Sequence, residues 1–216
     1  MKLNKKGTVV VKNFLSNEEV NYLNDLKKNI VSWSWEDESK ADLRLFGAER
    51  LDEIFFEKLS KKINDIFFSI TSQNHVNTWM LNSTKGLDNS KGSGGGWHRD
   101  DPLWRQYKFI IYLTDVSTNN GPFQYVLKSN SFFSRFTSFL INWFPKMRFN
   151  QDEINGEIKE FTANAGDIII SDTCGIHRGK PLENGENRVA LTSYSYSKNI
   201  PNNILKLSTQ GEIHNL

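Results

Sequence analysis

From residue 77 onward the chain breaks into short runs of β-branched and aromatic residues separated by Gly, Asn and Pro, which sharply narrows the folds open to it. The runs are Asn77 to Leu81, Lys108 to Val116, Pro122 to Leu127, Asp167 to Ser171 and Arg188 to Tyr196. Each has the length of a strand, and branched or ring side chains pack well on a pleated surface. The regular strand–helix alternation of a parallel sheet is missing. A mostly β fold of the sandwich or jelly-roll kind is predicted.

The preceding third of the chain reads differently. Thr8 to Val11 is a short strand, and Ser16 with Glu19 forms a capping box that starts a helix. Val20, Leu23, Leu26 and Ile30 give that helix one apolar face, and Ile54, Phe55, Leu59, Ile63, Ile66 and Ile70 give a second helix another. The expected organisation is one domain over 1–216: a mainly helical buttress at 1–76, a jelly-roll core at 77–197 and a C-terminal tail at 198–216. One insertion, Ser131 to Phe149, carries Phe132, Phe136, Phe139, Leu140 and Trp143 at near-helical spacing. Its first reading is a helix packed on the sheet, and its second a lipid- or carrier-binding stripe.

Charge and cysteine usage exclude several roles. With 27 Lys and Arg against 25 Asp and Glu, the net charge of +2 lacks the one-signed field of a nucleic-acid binder. The apolar stretch at Thr8 to Val11 is too short for a signal core, and no run of about 18 apolar residues occurs. Cys174 stands alone, so no internal disulfide framework exists. These features point to a soluble cytoplasmic protein acting on a small molecule, with neither nucleic acid nor membrane as partner.

His98-Arg99-Asp100 has the spacing at which an extended backbone turns two side chains the same way. An imidazole and a carboxylate, joined by a second imidazole, make the facial triad that holds Fe(II) and leaves positions open for cosubstrate and O2. Alone the motif is weak. His177 follows the strand at Asp167 to Ser171, and Arg188 opens the next strand, so the donors fall in an ordered series. A planar guanidinium there suits the distal carboxylate of 2-oxoglutarate. His177 as a loop histidine and Arg188 as a surface partner of Glu183 or Glu186 are the plainer readings.

The stretch Trp97-His98-Arg99-Asp100, then Lys108 to Val116, Asn120-Gly121-Pro122-Phe123, and Asp172 to Pro181 followed by Arg188, resembles the phytanoyl-CoA dioxygenase family of Fe(II)/2-oxoglutarate oxygenases. The resemblance implies a double-stranded β-helix, a jelly-roll variant buttressed by N-terminal helices. It implies Fe(II) on His98, Asp100 and His177, 2-oxoglutarate anchored by Arg188, and hydroxylation of an unactivated C–H with release of succinate and CO2. Halogenating relatives lack the carboxylate that Asp100 supplies, which favours hydroxylation. Trp97, Trp104 and Tyr107 are candidate pocket walls, and Gly92 to Gly96 a candidate lid.

Two positions depart from the family pattern. Val126-Leu127-Lys128-Ser129-Asn130 stands where relatives read Pro-Gly-Ser-His, and Gly179 stands where several carry a serine that helps bind the cosubstrate. Thr192 and Tyr112 are the candidates for that missing donor. In the segment Ser32 to Arg50, with Trp33, Trp35 and Arg50, Arg44 is a candidate for an anionic substrate group, as is Arg99. A small polar metabolite or sugar-type substrate is expected. A cupin-like metal isomerase or lyase without 2-oxoglutarate, and a non-catalytic glycan-binding jelly roll, are the alternatives.

Overall fold

The computed structural model describes residues 3–88, 90–101, 106–136 and 146–214. Its helices are α1 (Leu3–Lys6), α2 (Asn17–Leu26), α3 (Glu53–Thr71) and α4 (Asn202–Ser208). The strands are β1 (Thr8–Val11), β2 (Trp35–Glu36), β3 (Asp42–Phe46), β4 (Val76–Lys85), β5 (Gln106–Tyr112), β6 (Phe123–Val126), β7 (Ile158–Phe161), β8 (Ile168–Asp172), β9 (His177–Gly179) and β10 (Asn187–Tyr196). Seven strands form one antiparallel sheet in the order β1-β8-β5-β10-β4-β3-β2, and β7-β6-β9 form a smaller one. The fold is the predicted jelly roll.

The alternation of side chains along the central strands builds two layers. On β5, Phe109 and Ile111 point to the helical side while Ile110 and Tyr112 point between the sheets. On β8 and β10, Ile168, Ile170, Val189 and Leu191 join the helical side, and Ile169 and Ala190 the inner side. Ser16 caps α2 through Glu19 N, and the Glu19 carboxylate accepts from the Ser16 amide, the predicted box. On α3 the buried face is Phe56, Leu59, Ile63 and Phe67, set against Trp79, Leu81 and Tyr107. Ile54, assigned to that face from its spacing, is instead 70% exposed, in the first turn of the helix that Asp52 caps through Phe55 N.

The first 76 residues are less purely helical than expected. β1, β2 and β3 all enter the large sheet, with β1 at one edge on β8 and β2 at the other on β3. The residues after 197 are not a free tail either: the Val31 amide donates to Glu212 O at 2.8 Å and α4 packs on β3. In the insertion, residues 132–136 are helical, yet Phe132 and Phe133 are 72% and 75% exposed and do not pack on the sheet. Phe139, Leu140 and Trp143 lie outside the described residues. No helix among the described residues is long and apolar enough to cross a membrane.

Candidate active site

The inner face of the large sheet and the β6–β9 edge of the small one enclose a cavity of about 1090 Å³. His98, Asp100 and His177 lie together on its wall, with ligating atoms all within 4.8 Å of one another. His177 opens β9, whereas His98-Arg99-Asp100 is an extended segment held by bridges to Arg148 and His177 and not a full strand. The predicted same-side projection is nevertheless realised. Asp100 Oδ1 is 3.5 Å from His98 Nε2, and Asp100 Oδ2 is 3.6 Å from His177 Nε2.

Both imidazoles have a set tautomer. His98 Nδ1 lies 2.8 Å from Gly96 O and His177 Nδ1 2.9 Å from Gly175 O; a carbonyl only accepts, so each Nδ1 carries the proton. Each Nε2 lone pair is then left facing the cavity, the arrangement typical of metal-ligating histidines. His177 Nε2 is buried without a hydrogen-bond partner. Burial, with the charge of His98 adding, pushes the His177 pKa down to about 3, so the ring is neutral at neutral pH. For Asp100 burial acts to raise the pKa, but Lys108, His177 and His98 outweigh it and hold the carboxyl ionised well below its usual range. Two imidazoles, that of His177 neutral, and an ionised carboxylate fit a divalent ion.

Arg188 projects from β10 into the same cavity and is 4% exposed. Its Nη1 donates to Gly121 O and its Nη2 reaches Thr84 Oγ1 at 3.5 Å, while its Nε is buried without a partner. No carboxylate pairs with it among the described residues, and burial lowers its pKa. A buried, uncompensated guanidinium is costly and fits an incoming carboxylate. Thr192, four residues further along β10, also lines the cavity, with no side-chain partner among the described residues. Tyr112 also lines it, but its hydroxyl already accepts from Phe123 N at 2.9 Å and faces Phe161 O at 3.3 Å, so it is not the free donor expected.

Gly179 leaves little room for the family's serine: an added Cβ would lie 3.0 Å from Ser93 Cβ, so Ser93 would have to give by a few tenths of an ångström, and the Gly179 amide donates to Ser93 O at 3.1 Å. The glycine loop is pinned to the wall, since Arg148 donates to Gly94 O at 2.8 Å and Arg44 to Ser93 Oγ at 3.2 Å. At the other departure, Lys128 takes the left-handed conformation (φ 65°) that the family's glycine suits, and Asn130 Nδ2 donates to Asp172 Oδ2 at 3.0 Å.

Three further expectations need correcting. Trp97 turns away from the cavity into a cluster with Val126 and Ile176, its Nε1 donating to Gln151 at 2.9 Å. Arg99 contributes to the cavity lining, but its guanidinium donates to Ser129 O and Cys174 O and is already engaged there. Tyr107 packs edge-on against Phe67 beneath the helices. The orientations of Trp97 and Tyr107 follow from their positions beside inward-facing residues, since neighbours on extended backbone point oppositely. Trp104 lies outside the described residues. Arg44 does line the cavity, bound to Asp42 at 2.5 Å with its guanidinium 4.5 Å from the Trp35 ring centroid; Arg50 instead donates to Gln210 O. Cys174 is buried and its thiol is pushed up to about 12 by burial, unsuited to nucleophilic work.

The most informative residue that sequence reasoning missed is Lys108. It projects inward from β5 and its Nζ lies 2.8 Å from Asp100 Oδ2. The period-two pattern of β5, which places Lys108 beside Ile110 and Tyr112 on the cavity face, was the available signal.

Fold and donor set together define a jelly-roll, 2-oxoglutarate-dependent non-haem iron enzyme. The chain belongs to the phytanoyl-CoA dioxygenase (PhyH) family, whose model matches residues 3–190, and Fe(II), 2-oxoglutarate and O2 are its cofactor and cosubstrates. Among solved structures it resembles the epimerase SnoN from nogalamycin biosynthesis, solved with Fe3+, alpha ketoglutarate and nogalamycin RO: 14% identity, TM-score 0.69, covering 95% of this chain and 86% of that one. It also resembles the carbocyclase SnoK from the same biosynthesis, at 15% identity and TM-score 0.65, with 90% and 81% covered. A third is HygX from Streptomyces hygroscopicus with nickel, 2-oxoglutarate and hygromycin B, at 14% identity and TM-score 0.64, with 92% and 85% covered. At these identities the likeness carries the fold. No curated protein matches the chain by sequence.

Proposed function

We propose that this chain works as a single domain that hydroxylates an unactivated C–H bond of a small polar metabolite or sugar-type substrate, converting 2-oxoglutarate to succinate and CO2. The observation that carries the reading is the triad: two imidazoles and one ionised carboxylate, with ligating atoms converging on one wall of a cavity that also holds Arg188. When bound, iron(II) with 2-oxoglutarate and O2 supplies an oxidising power that no side chain has.

The chain's own residues do the rest. His98, Asp100 and His177 bind the ion, and Arg188 anchors the far carboxylate of the cosubstrate with Thr192 as the helper hydroxyl. Ile110, Phe123 and Ala190 wall the inner cavity with apolar surface and exclude water from the reacting groups. Asp42, Asp88, Lys91, Arg148 and the Arg44–Trp35 pair line the outer cavity with charges of both signs, which supports a small polar substrate.

Epimerisation or ring formation, the activities named for SnoN and SnoK, is the second reading. Anaerobic addition of 2-oxoglutarate to the Fe(II)-loaded protein is expected to give a weak visible charge-transfer band, absent in His177→Ala. A succinate-release screen across metabolite pools then finds the substrate. A product that gains one oxygen supports hydroxylation, one of unchanged mass supports epimerisation, and one lacking two hydrogens supports ring formation. No 2-oxoglutarate binding by the loaded parent would return the isomerase or lyase alternative.

A further inference from the structure

A buried ammonium beside the metal-facing carboxylate is chemically conspicuous. Removing a lysine's charge from water costs several kcal/mol, and packing alone would be served by an apolar residue such as Ile110, the next inward position on the strand. The Lys108 side chain is only 12% exposed, with its Nζ 2.8 Å from Asp100 Oδ2 and 4.8 Å from the Tyr194 ring centroid. Asp100 meanwhile faces a different histidine with each oxygen, His98 with Oδ1 and His177 with Oδ2. A carboxylate so placed is able to grip one ion with both oxygens, since carboxylates bind ions in either mode. Doing so would occupy a coordination position that the cosubstrate needs.

We propose that Lys108 is a positioning residue for the metal centre: its ammonium holds Oδ2 of Asp100, leaving Oδ1 alone for the ion and the positions beyond the triad uncrowded for 2-oxoglutarate and O2 together. The assignment rests on the triad reading given above. It also gives the lysine's burial a cause, because the ion pair is what makes a charged residue tolerable on this wall.

Cobalt(II) is a suitable probe, because its visible absorption reports coordination number and its binding requires no turnover. The parent, Lys108→Met and Lys108→Arg are titrated with Co(II), and each loaded protein with 2-oxoglutarate. Lys108→Met is expected to bind Co(II), show the weaker absorption of a higher coordination number, and bind 2-oxoglutarate about ten- to hundred-fold less tightly. Lys108→Arg is expected to restore both properties at least in part. A Lys108→Met protein with the parental cobalt spectrum and parental 2-oxoglutarate affinity overturns the proposal. So does a folded Lys108→Met that no longer binds cobalt, because the lysine would then hold the site together without setting how Asp100 binds. If circular dichroism shows Lys108→Met unfolded, Lys108→Gln takes its place with the same outcomes. Failure of the parent itself to bind Co(II) would sink the triad reading, a result distinct from failure of the lysine's role alone.

Discussion

His98 and His177 are backbone partners: each amide donates to the other's carbonyl at 2.9 Å, which sets their rings 4.4 Å apart between centroids. A metal bound by this pair clips two distant parts of the chain together, so binding is linked to stability. Addition of Co(II) at about a hundred times its dissociation constant is expected to stabilise the parent by about 2.7 kcal/mol. His177→Ala and Asp100→Ala should lose that gain, and a thermal shift with and without cobalt reads it. Equal shifts in parent and variants would remove these residues from the metal site.

Arg188 governs the cosubstrate in the same scheme. Arg188→Ala is expected to weaken 2-oxoglutarate binding by about 2–5 kcal/mol, the usual loss when one member of a buried charge pair is truncated. Arg188→Lys should recover only part, because an ammonium cannot reproduce two parallel hydrogen bonds. Calorimetric titration of the metal-loaded proteins checks both, and unchanged affinity in Arg188→Ala would move the anchor elsewhere.

Much of this was legible in the chain because it rests on local pattern. The Ser16–Glu19 box, the runs that became β4, β5, β6, β8 and β10, and the His98-x-Asp100 spacing all report contacts within a few residues. What escaped depends on which way a residue faces once the sheet has closed. Trp97 was assigned to the cavity because it neighbours a ligand in the chain, yet extended backbone sends neighbours to opposite sides. Lys108 escaped for the converse reason, since its partner Asp100 arrives from another part of the chain. The short strands β2 and β3 lay in a segment read only for candidate substrate-binding side chains, because the pairing of β3 on β4 is a long-range event.

Lys128 offers a test of backbone strain away from the site. It is exposed and has a φ of 65°, a conformation that costs a non-glycine residue about 1–2 kcal/mol. Glycine removes that strain but loses more freedom on folding, by about 0.5–1 kcal/mol. Lys128→Gly is expected to stabilise the fold by up to about 1 kcal/mol, read from urea denaturation. A clear destabilisation would show that the lysine side chain contributes more than its backbone costs.

Asp167 ties the chain before α2 to the start of β8. Its carboxylate accepts from the amides of Asn13 and Asn164, both at 2.9 Å, and from Lys12 Nζ at 2.7 Å. Burial acts to raise its pKa, but Lys12 and the two amides bring it below the ordinary 3.8. A depressed folded-state pKa contributes stability that is fully present above the unfolded value and is lost as pH falls through the folded one. Asp167→Asn is therefore expected to lower stability by about 1–3 kcal/mol at neutral pH. The gap between variant and parent should narrow below about pH 3.8. Melting temperatures across the acid range provide the check, and a gap independent of pH would contradict the ionised-carboxylate account.

Gly94 tests how tightly the glycine loop and the metal site are coupled. A Cβ at this position would lie 2.5 Å from His98 Cε1, with φ at +89°. The ring cannot swing aside freely, because Nδ1 is held by Gly96 O and the His98 backbone by His177. Gly94→Ala is expected to keep the fold while weakening Co(II) binding about ten-fold or more, as displaced support of a ligand usually does. Gly95→Ala separates this effect from backbone strain. Its φ is also positive, at +69°, but an added Cβ would meet only the far end of Arg148, at 3.4 Å. It should lose stability to a similar extent and retain metal affinity. If both variants bind cobalt like the parent, the loop is only a neighbour of His98 and does not set its position.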